Sequence, residues 1–245
     1  MRAALPRVAA AIALAASLTA NGWSGSATPS YASSATPTMA IHALTLDRPD
    51  QVAIRTGPTS MRILASSANT GTNDRYVFWR PATPRAVDQQ VCATWSSSHG
   101  ANVQEGLSLR VAHDPDGRWR EVTVMKNILY GAVWQFNVLT WDNDADRTMT
   151  PQGAVSLPDV FWPNHQVAPL PWKVCARVVG DLVTLKAWKA TEAEPAWGDT
   201  SHGGTVRLPP GWTYPGKTGW YVGHIPPGGS SLMTGLSATN LSPPA

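Results

Sequence analysis

Cysteine is nearly absent: Cys92 and Cys175 are the only two in 245 residues. Two thiols alone cannot make a structural zinc site. The six histidines, His42, His99, His113, His165, His202 and His224, never fall at metal-ligand spacing and read as surface or packed residues. Charge is also scarce, at 14% Asp, Glu, Lys and Arg, and no run of Lys or Arg exists. That removes the electrostatic footprint of a nucleic-acid or anionic-membrane binder. Glutamate is rarer still, with Glu105, Glu121, Glu192 and Glu194 as the full complement. No stretch carries an apolar stripe at helical spacing, and nothing repeats at a period of 20 to 50 residues.

Long apolar runs are missing too. The one at residues 8–20 (VAAAIALAASLTA) follows Arg2 and Arg7 and is too short to span a bilayer. It has the length of a signal-peptide core, with small residues offering cleavage after Ala27 or Ala32. The expected organisation is a signal peptide at 1–32, a Ser/Thr/Ala/Pro-rich linker at 33–50 and one folded domain at 51–241. Removing the leader takes two of the 19 basic residues, leaving 17 against 16 acidic ones, a net +1. The mature chain is then expected to have no transmembrane segment. Export to an oxidising compartment makes a single Cys92–Cys175 disulfide the expectation.

What the chain has in quantity is turn residues and tryptophan: 20 Gly, 21 Pro and 12 Trp, with 43% hydrophobic residues. Short strand-like runs recur at 75–79, 90–95, 106–112, 120–126, 132–141, 173–179, 182–188, 219–222 and 232–238. Gly180-Asp181 and Asp114-Pro115-Asp116-Gly117 are hairpin turns between such runs. Many short strands with turn punctuation predict an all-β antiparallel sandwich or barrel.

The segment VVGDLVTLKAW (178–188) gives a register. With Gly180-Asp181 as the turn, Val179 opposes Leu182, Val178 opposes Val183, Ala176 opposes Leu185 and Val174 opposes Ala187. The other face then pairs Arg177 with Thr184, Cys175 with Lys186 and Lys173 with Trp188. By the same alternation Cys92 lies on the polar side of its strand, as a cross-strand disulfide on an outer face requires. Trp79, Trp95 and Trp134 fall on core positions. Gln135, Asn137 and Trp141 fall on a polar face. A flat ring amid amides and charges suits a sugar, whose C–H face stacks while its hydroxyls hydrogen-bond. Lys173, Lys186 and Trp188, continued by Gln135, Asn137 and Trp141, are therefore the candidate ligand surface. The competing reading packs Trp188 beneath the loop of Glu194 and Trp197.

The hairpin V-x-G-D-x-x-x-x-K-x-W, then EPAW (194–197), then GKTGWYVG (216–223) and a final strand resemble the C-terminal half of a concanavalin A-like lectin/glucanase (LamG-like) jelly roll, of the type found in secreted actinobacterial proteins. The resemblance covers roughly residues 75–241 and is strong in the second half. It implies two packed antiparallel sheets with a concave outer face, in a superfamily whose members bind glycans, cleave them or serve as structural modules. The E-x-D-x-(x)-E signature of the glucanase members is absent, and no close carboxylate pair is visible for glycoside hydrolysis. The run Asp142-Asn143-Asp144-Ala145-Asp146 offers Asp142, Asp144 and Asp146 as calcium ligands, which the superfamily often uses. Arg147 and Gly153, where an EF-hand needs Gly and Glu, exclude that motif. The reading is a secreted, non-catalytic protein that binds a carbohydrate or cell-wall polymer, with no cofactor beyond calcium. The alternatives are a polysaccharide hydrolase or lyase without the usual motif, and a structural surface protein with no sugar ligand.

Overall fold

A computed structural model describes residues 39–46, 52–68 and 71–243. The expected leader lies outside the described residues. The strands run in chain order as β1 (Ala40–Thr45), β2 (Val52–Thr56), β3 (Met61–Ala65), β4 (Arg75–Trp79), β5 (Gln89–His99), β6 (Gln104–His113), β7 (Trp119–Lys126), β8 (Gln135–Asp142), β9 (Met149–Ser156), β10 (Trp172–Val179), β11 (Leu182–Lys189), β12 (Gly203–Arg207), β13 (Lys217–Gly223) and β14 (Ser230–Asn240). They form two seven-stranded sheets. Sheet A has the order β1-β4-β13-β6-β7-β8-β9 and sheet B the order β12-β11-β10-β5-β14-β3-β2, and every strand pair is antiparallel. Of the sandwich or barrel expected from the strand-and-turn pattern, this is the sandwich, and it agrees with the jelly roll that the resemblance implies.

The β10–β11 register is the one read from the sequence, pair for pair, from Val179↔Leu182 to Lys173↔Trp188. Val174, Ala176, Val178, Val183, Leu185 and Ala187 all enter the core between the sheets, beside Val91, Ala93 and Trp95 of β5. Cys175 lies directly opposite Cys92 across β10 and β5, and the two are bonded. The outer-face position of both residues makes that bond possible.

Several features differ from the sequence reading, and strands β2, β3 and β12 lie outside its strand-like runs. Residues 40–45, assigned to the linker, form β1 and pair with β4, so the folded unit starts upstream of residue 51. Strand β9 also lies outside those runs and carries Pro151 and Gly153, residues that weaken a strand pattern; at the edge of a sheet one N–H fewer is tolerated. Trp79 leaves the main core and packs on the outer side of sheet A.

The two glycines of the GKTG run have a steric cause. A Cβ on Gly216 would sit 2.3 Å from the backbone of Arg110, and one on Gly219 would sit 2.5 Å from the carbonyl of Phe78. Arg110 occupies a break in the β6–β7 register with φ 52°. Its side chain, fully buried, donates to the carbonyls of Val87 (2.9 Å), Gly180 (2.5 Å) and Trp212, tying the β10–β11 turn to sheet A. A second polar tie joins Lys126 to Glu105 at 2.6 Å, with the Ser231 hydroxyl donating to the same carboxylate.

Candidate functional site

The six candidate ligand residues do not share a surface. Lys173, Lys186 and Trp188 belong to sheet B, and Gln135, Asn137 and Trp141 to sheet A. Each set faces away from the common core, so the two lie on opposite outsides of the sandwich. The joined face anticipated from alternation is corrected accordingly: alternation assigns a residue to a face of its own sheet and says nothing about which sheet.

The sheet B set is covered by its own loop. Lys186 Nζ donates to the Glu194 carboxylate at 2.6 Å and to the Pro195 carbonyl at 2.8 Å. The Trp197 ring lies 4.7 Å from that ammonium and 4.4 Å from the Arg177 guanidinium. Trp188, 2% exposed, lies under this cover, 5.4 Å from Lys186 Nζ. The E-P-A-W run is thus a clasp that delivers one carboxylate, one carbonyl and one ring to the cations of β10 and β11. Trp188 and Lys186 are packed residues of the scaffold. Lys173 alone of this set keeps partial exposure.

The outer face of sheet A is sharply concave. Strands β1 and β7 are four spacings apart, roughly 19 Å in a flat sheet. Yet His42 of β1 stacks on Trp119 of β7 with ring centres 3.9 Å apart. Arg75 of β4 likewise reaches the Trp141 ring of β8, 5.9 Å away. Val77, Val111, Trp119, Met125, Leu139 and Tyr221 fill the trough as a second apolar cluster. Tyr221 lies over Gly106, where a Cβ would come within 3.0 Å of its ring, and its hydroxyl donates to Gln104 at 2.9 Å. Trp141 is 3% exposed and lies against the Arg75 guanidinium, so its assignment as a ligand contact is also corrected. Its face looked polar because Gln135 and Asn137 precede it.

His42 and Glu121 are titratable groups of the filled trough. Burial, with His113 opposite, pushes His42 down to about 4, so a neutral imidazole stacks on Trp119. Glu121 is fully buried beside Trp141 in the β7–β8 register. Burial pushes its carboxyl up to about 8, and the Thr123 hydroxyl bond (2.7 Å) offsets only part of that rise. A protonated acid sealed among aromatic rings has no route to a substrate in this arrangement. Of the other glutamates, Glu105 is fully buried in its ion pair with Lys126, and Glu192 and Glu194 are tied to Lys189 and Lys186 on the opposite side.

At the β7–β8 hairpin end of this face, half-buried and exposed residues replace the filled trough. Asn127, Gln135 and Asn137 form an amide cluster there: Asn127 Nδ2 donates to Gln135 Oε1 and Asn137 Nδ2 to Asn127 Oδ1, both at 3.3 Å. Gln135 and Asn137 are half-buried. Asn127 also bonds both ways to Leu129 of the turn that follows, accepting from its N–H at 3.1 Å and donating to its carbonyl at 3.2 Å. At the tip, Tyr130 has φ 56° and a fully exposed ring, next to Leu129 at 63% exposure. Exposed aromatic side chains on a left-handed turn are features of functional loops. Sequence reasoning found Gln135 and Asn137 but missed Asn127 and Tyr130. The available signal was Asn-Ile-Leu-Tyr-Gly, an apolar run at a hairpin turn where polar residues are the norm.

The acidic run fails as a calcium site. Arg118 grips both Asp142 oxygens, at 3.0 and 2.6 Å, and Arg120 lies 3.4 Å away. These arginines hold the Asp142 carboxyl below its usual range. Asp144 is 3.9 Å from Arg118, and among the described residues Asp142, Asp144 and Asp146 do not converge as a metal-ligand group.

No protein-family model matches the sequence, and no curated protein matches it either. Solved structures do resemble the fold. A Bacillus subtilis protein of unknown function with a galectin-like fold superposes with a TM-score of 0.51 at 12% identity, over 82% of this chain and 89% of that one. A carbohydrate-binding module, CBM66, also from Bacillus subtilis, gives 0.48 at 8% identity over 76% and 91%. A legume lectin-like domain from Entamoeba histolytica gives 0.48 at 9% identity over 84% and 91%. At 12% identity the galectin-like match speaks to the fold alone, and it agrees with the concanavalin-like jelly roll read from the hairpin and glycine motifs.

Proposed function

We propose that the protein is an exported, non-catalytic glycan-binding module that holds its ligand at the β7–β8 hairpin end of the sheet A concave face. The observation that carries this reading is the juxtaposition of the Asn127–Gln135–Asn137 amide cluster with the exposed ring of Tyr130. Amides satisfy sugar hydroxyls in both directions, and an exposed aromatic ring supplies the apolar surface for the C–H face. The carboxylates support binding over hydrolysis. Glu105 and Glu121 are both buried, one ion-paired and the other sealed in the aromatic cluster, which leaves no exposed glutamate pair on this face for acid and base roles. Export is supported by the Cys92–Cys175 bond, which suits an oxidising compartment, and by the leader-like residues 1–32. The ligand class in this reading is a polysaccharide of the cell envelope or its surroundings.

A glycan array probed with the mature chain tests the proposal. Tyr130→Ala should weaken the captured glycan by about 1–3 kcal/mol, by analogy with aromatic stacking on bases. Asn137→Ala should cost about 1 kcal/mol of binding. Both variants should melt close to the parent, since Tyr130 is exposed and Asn137 is half-buried. Release of reducing ends from any polysaccharide bound would replace the binding reading with an enzymatic one.

A further inference from the structure

At the other end of β8 lies a cleft of about 240 Å³, between the β8–β9 turn and the segment after β12. Thr140, Asp142, Arg147, Thr150, Gln152 and Trp212 line it. Along β8 its Thr140 lies three residues, roughly 10 Å, from Asn137 of the amide cluster, and the two sites share no residue. At the liquid density of water the volume holds about eight waters, which suits one sugar ring and not an oligosaccharide.

The walls are prearranged. Trp212 is fixed from two directions: its carbonyl accepts from Arg110, and the Arg120 guanidinium stacks 4.6 Å from its ring. The Gln152 amide nitrogen donates to Thr140 Oγ1 at 2.8 Å and to the Thr150 carbonyl at 3.3 Å, which leaves Oε1 as an acceptor. Residues held by such bonds lose little freedom when a ligand arrives. The lining carries two charges of opposite kind. Asp142 is already neutralised by Arg118 and Arg120. Arg147 is exposed and makes no ion pair among the described residues. The uncompensated charge of the lining is therefore a guanidinium, whose fork fits a carboxylate.

We propose that this cleft is a second carbohydrate site, selective for a sugar ring that bears a carboxylate, such as a uronic acid. Arg147 takes the carboxylate, Trp212 presents the apolar wall, and Gln152 Oε1 accepts from a ring hydroxyl. The proposal does not rest on the concave-face reading, because the two sites have separate residues and separate ligands.

The test is a titration of the mature chain with D-glucuronate, methyl glucoside and acetate, followed through the indole N–H signals of the tryptophans. Trp212→Phe identifies the Trp212 signal by its disappearance. Glucuronate should move that signal, methyl glucoside should need at least about tenfold more ligand, and acetate should leave it in place. Arg147→Gln should weaken glucuronate about tenfold, the scale of one charge-assisted hydrogen bond, and Gln152→Ala should weaken it a few-fold. Tyr130→Ala should bind glucuronate as the parent does, whatever it does to other glycans. A still Trp212 signal, equal response to the neutral glucoside or to acetate, or an unchanged Arg147→Gln affinity would each overturn the assignment.

Discussion

Replacing Glu121 by glutamine separates the charge of the buried acid from its shape. Glu121 is fully buried, accepts a hydrogen bond from Thr123 at 2.7 Å and lies beside Trp141 in the register. In the folded chain its carboxyl titrates near 8 instead of 4.5. A raised carboxyl works against the fold as pH rises: below 4.5 both states are protonated and nothing is lost. Between 4.5 and 8 the unfolded chain releases its proton and the folded chain keeps it, so stability falls. Above 8 both are ionised and the loss levels off at roughly 5 kcal/mol, with about 3 kcal/mol already lost at pH 7. A glutamine side chain cannot ionise, keeps the acceptor for Thr123 and mimics the protonated acid. Urea unfolding of parent and variant at about pH 4, 7 and 9 should therefore show near-equal stabilities at the acid end and a growing advantage for Glu121→Gln at higher pH. The comparison cancels every other titrating group. Parallel pH profiles would refute the assignment of a protonated acid to the concave cluster. So would a parent that gains on the variant as pH rises.

Trp188→Ala should cost about 3–5 kcal/mol of stability, because the ring is buried beneath the Glu194–Trp197 clasp; a thermal melt within a degree or two of the parent would contradict that packing. Glu194→Ala removes a carboxylate that is 62% exposed but leaves the Lys186 ammonium, 5% exposed, with only the Pro195 carbonyl to accept from it, so its chemical-denaturation midpoint should fall, though by less than that of a pair buried on both sides. Lys126→Met leaves Glu105 buried without its partner and should destabilise by about 3–5 kcal/mol, measured by urea unfolding at neutral pH. Millimolar calcium or a chelator should leave the melting temperature unchanged, since arginines already hold Asp142; a calcium-dependent rise of several degrees would show that the acidic turn rearranges around the ion.

Local periodicity and turn chemistry determined a good deal by themselves. The hairpin 173–188 has an unambiguous two-residue turn and uninterrupted alternation, so its register, its core residues and the outward position of Cys175 follow from the order of residues. The fold class follows from strand number and turns, because short alternating runs have few ways to bury one face. Strands β1, β2, β3, β9 and β12 did not follow; β1 sits in a Ser/Thr/Ala/Pro-rich neighbourhood and β9 carries Pro151, and pairing partners define all five as strands. The binding face was beyond alternation for a specific reason. Period two sorts side chains into inward and outward within one strand, and both sheets of a sandwich have an outward side. Only the strand order shows that Trp188 and Trp141 point in opposite directions. Only the curvature of sheet A, which brings His42 onto Trp119 across four strand spacings, turns an apparently polar face into a second core and leaves Asn127, Gln135, Asn137 and Tyr130 at its β7–β8 hairpin end. Contacts between residues far apart in the chain, such as Arg75 with Trp141 or Arg110 with Trp212, depend on how strands are ordered and bent, and no local pattern encodes them.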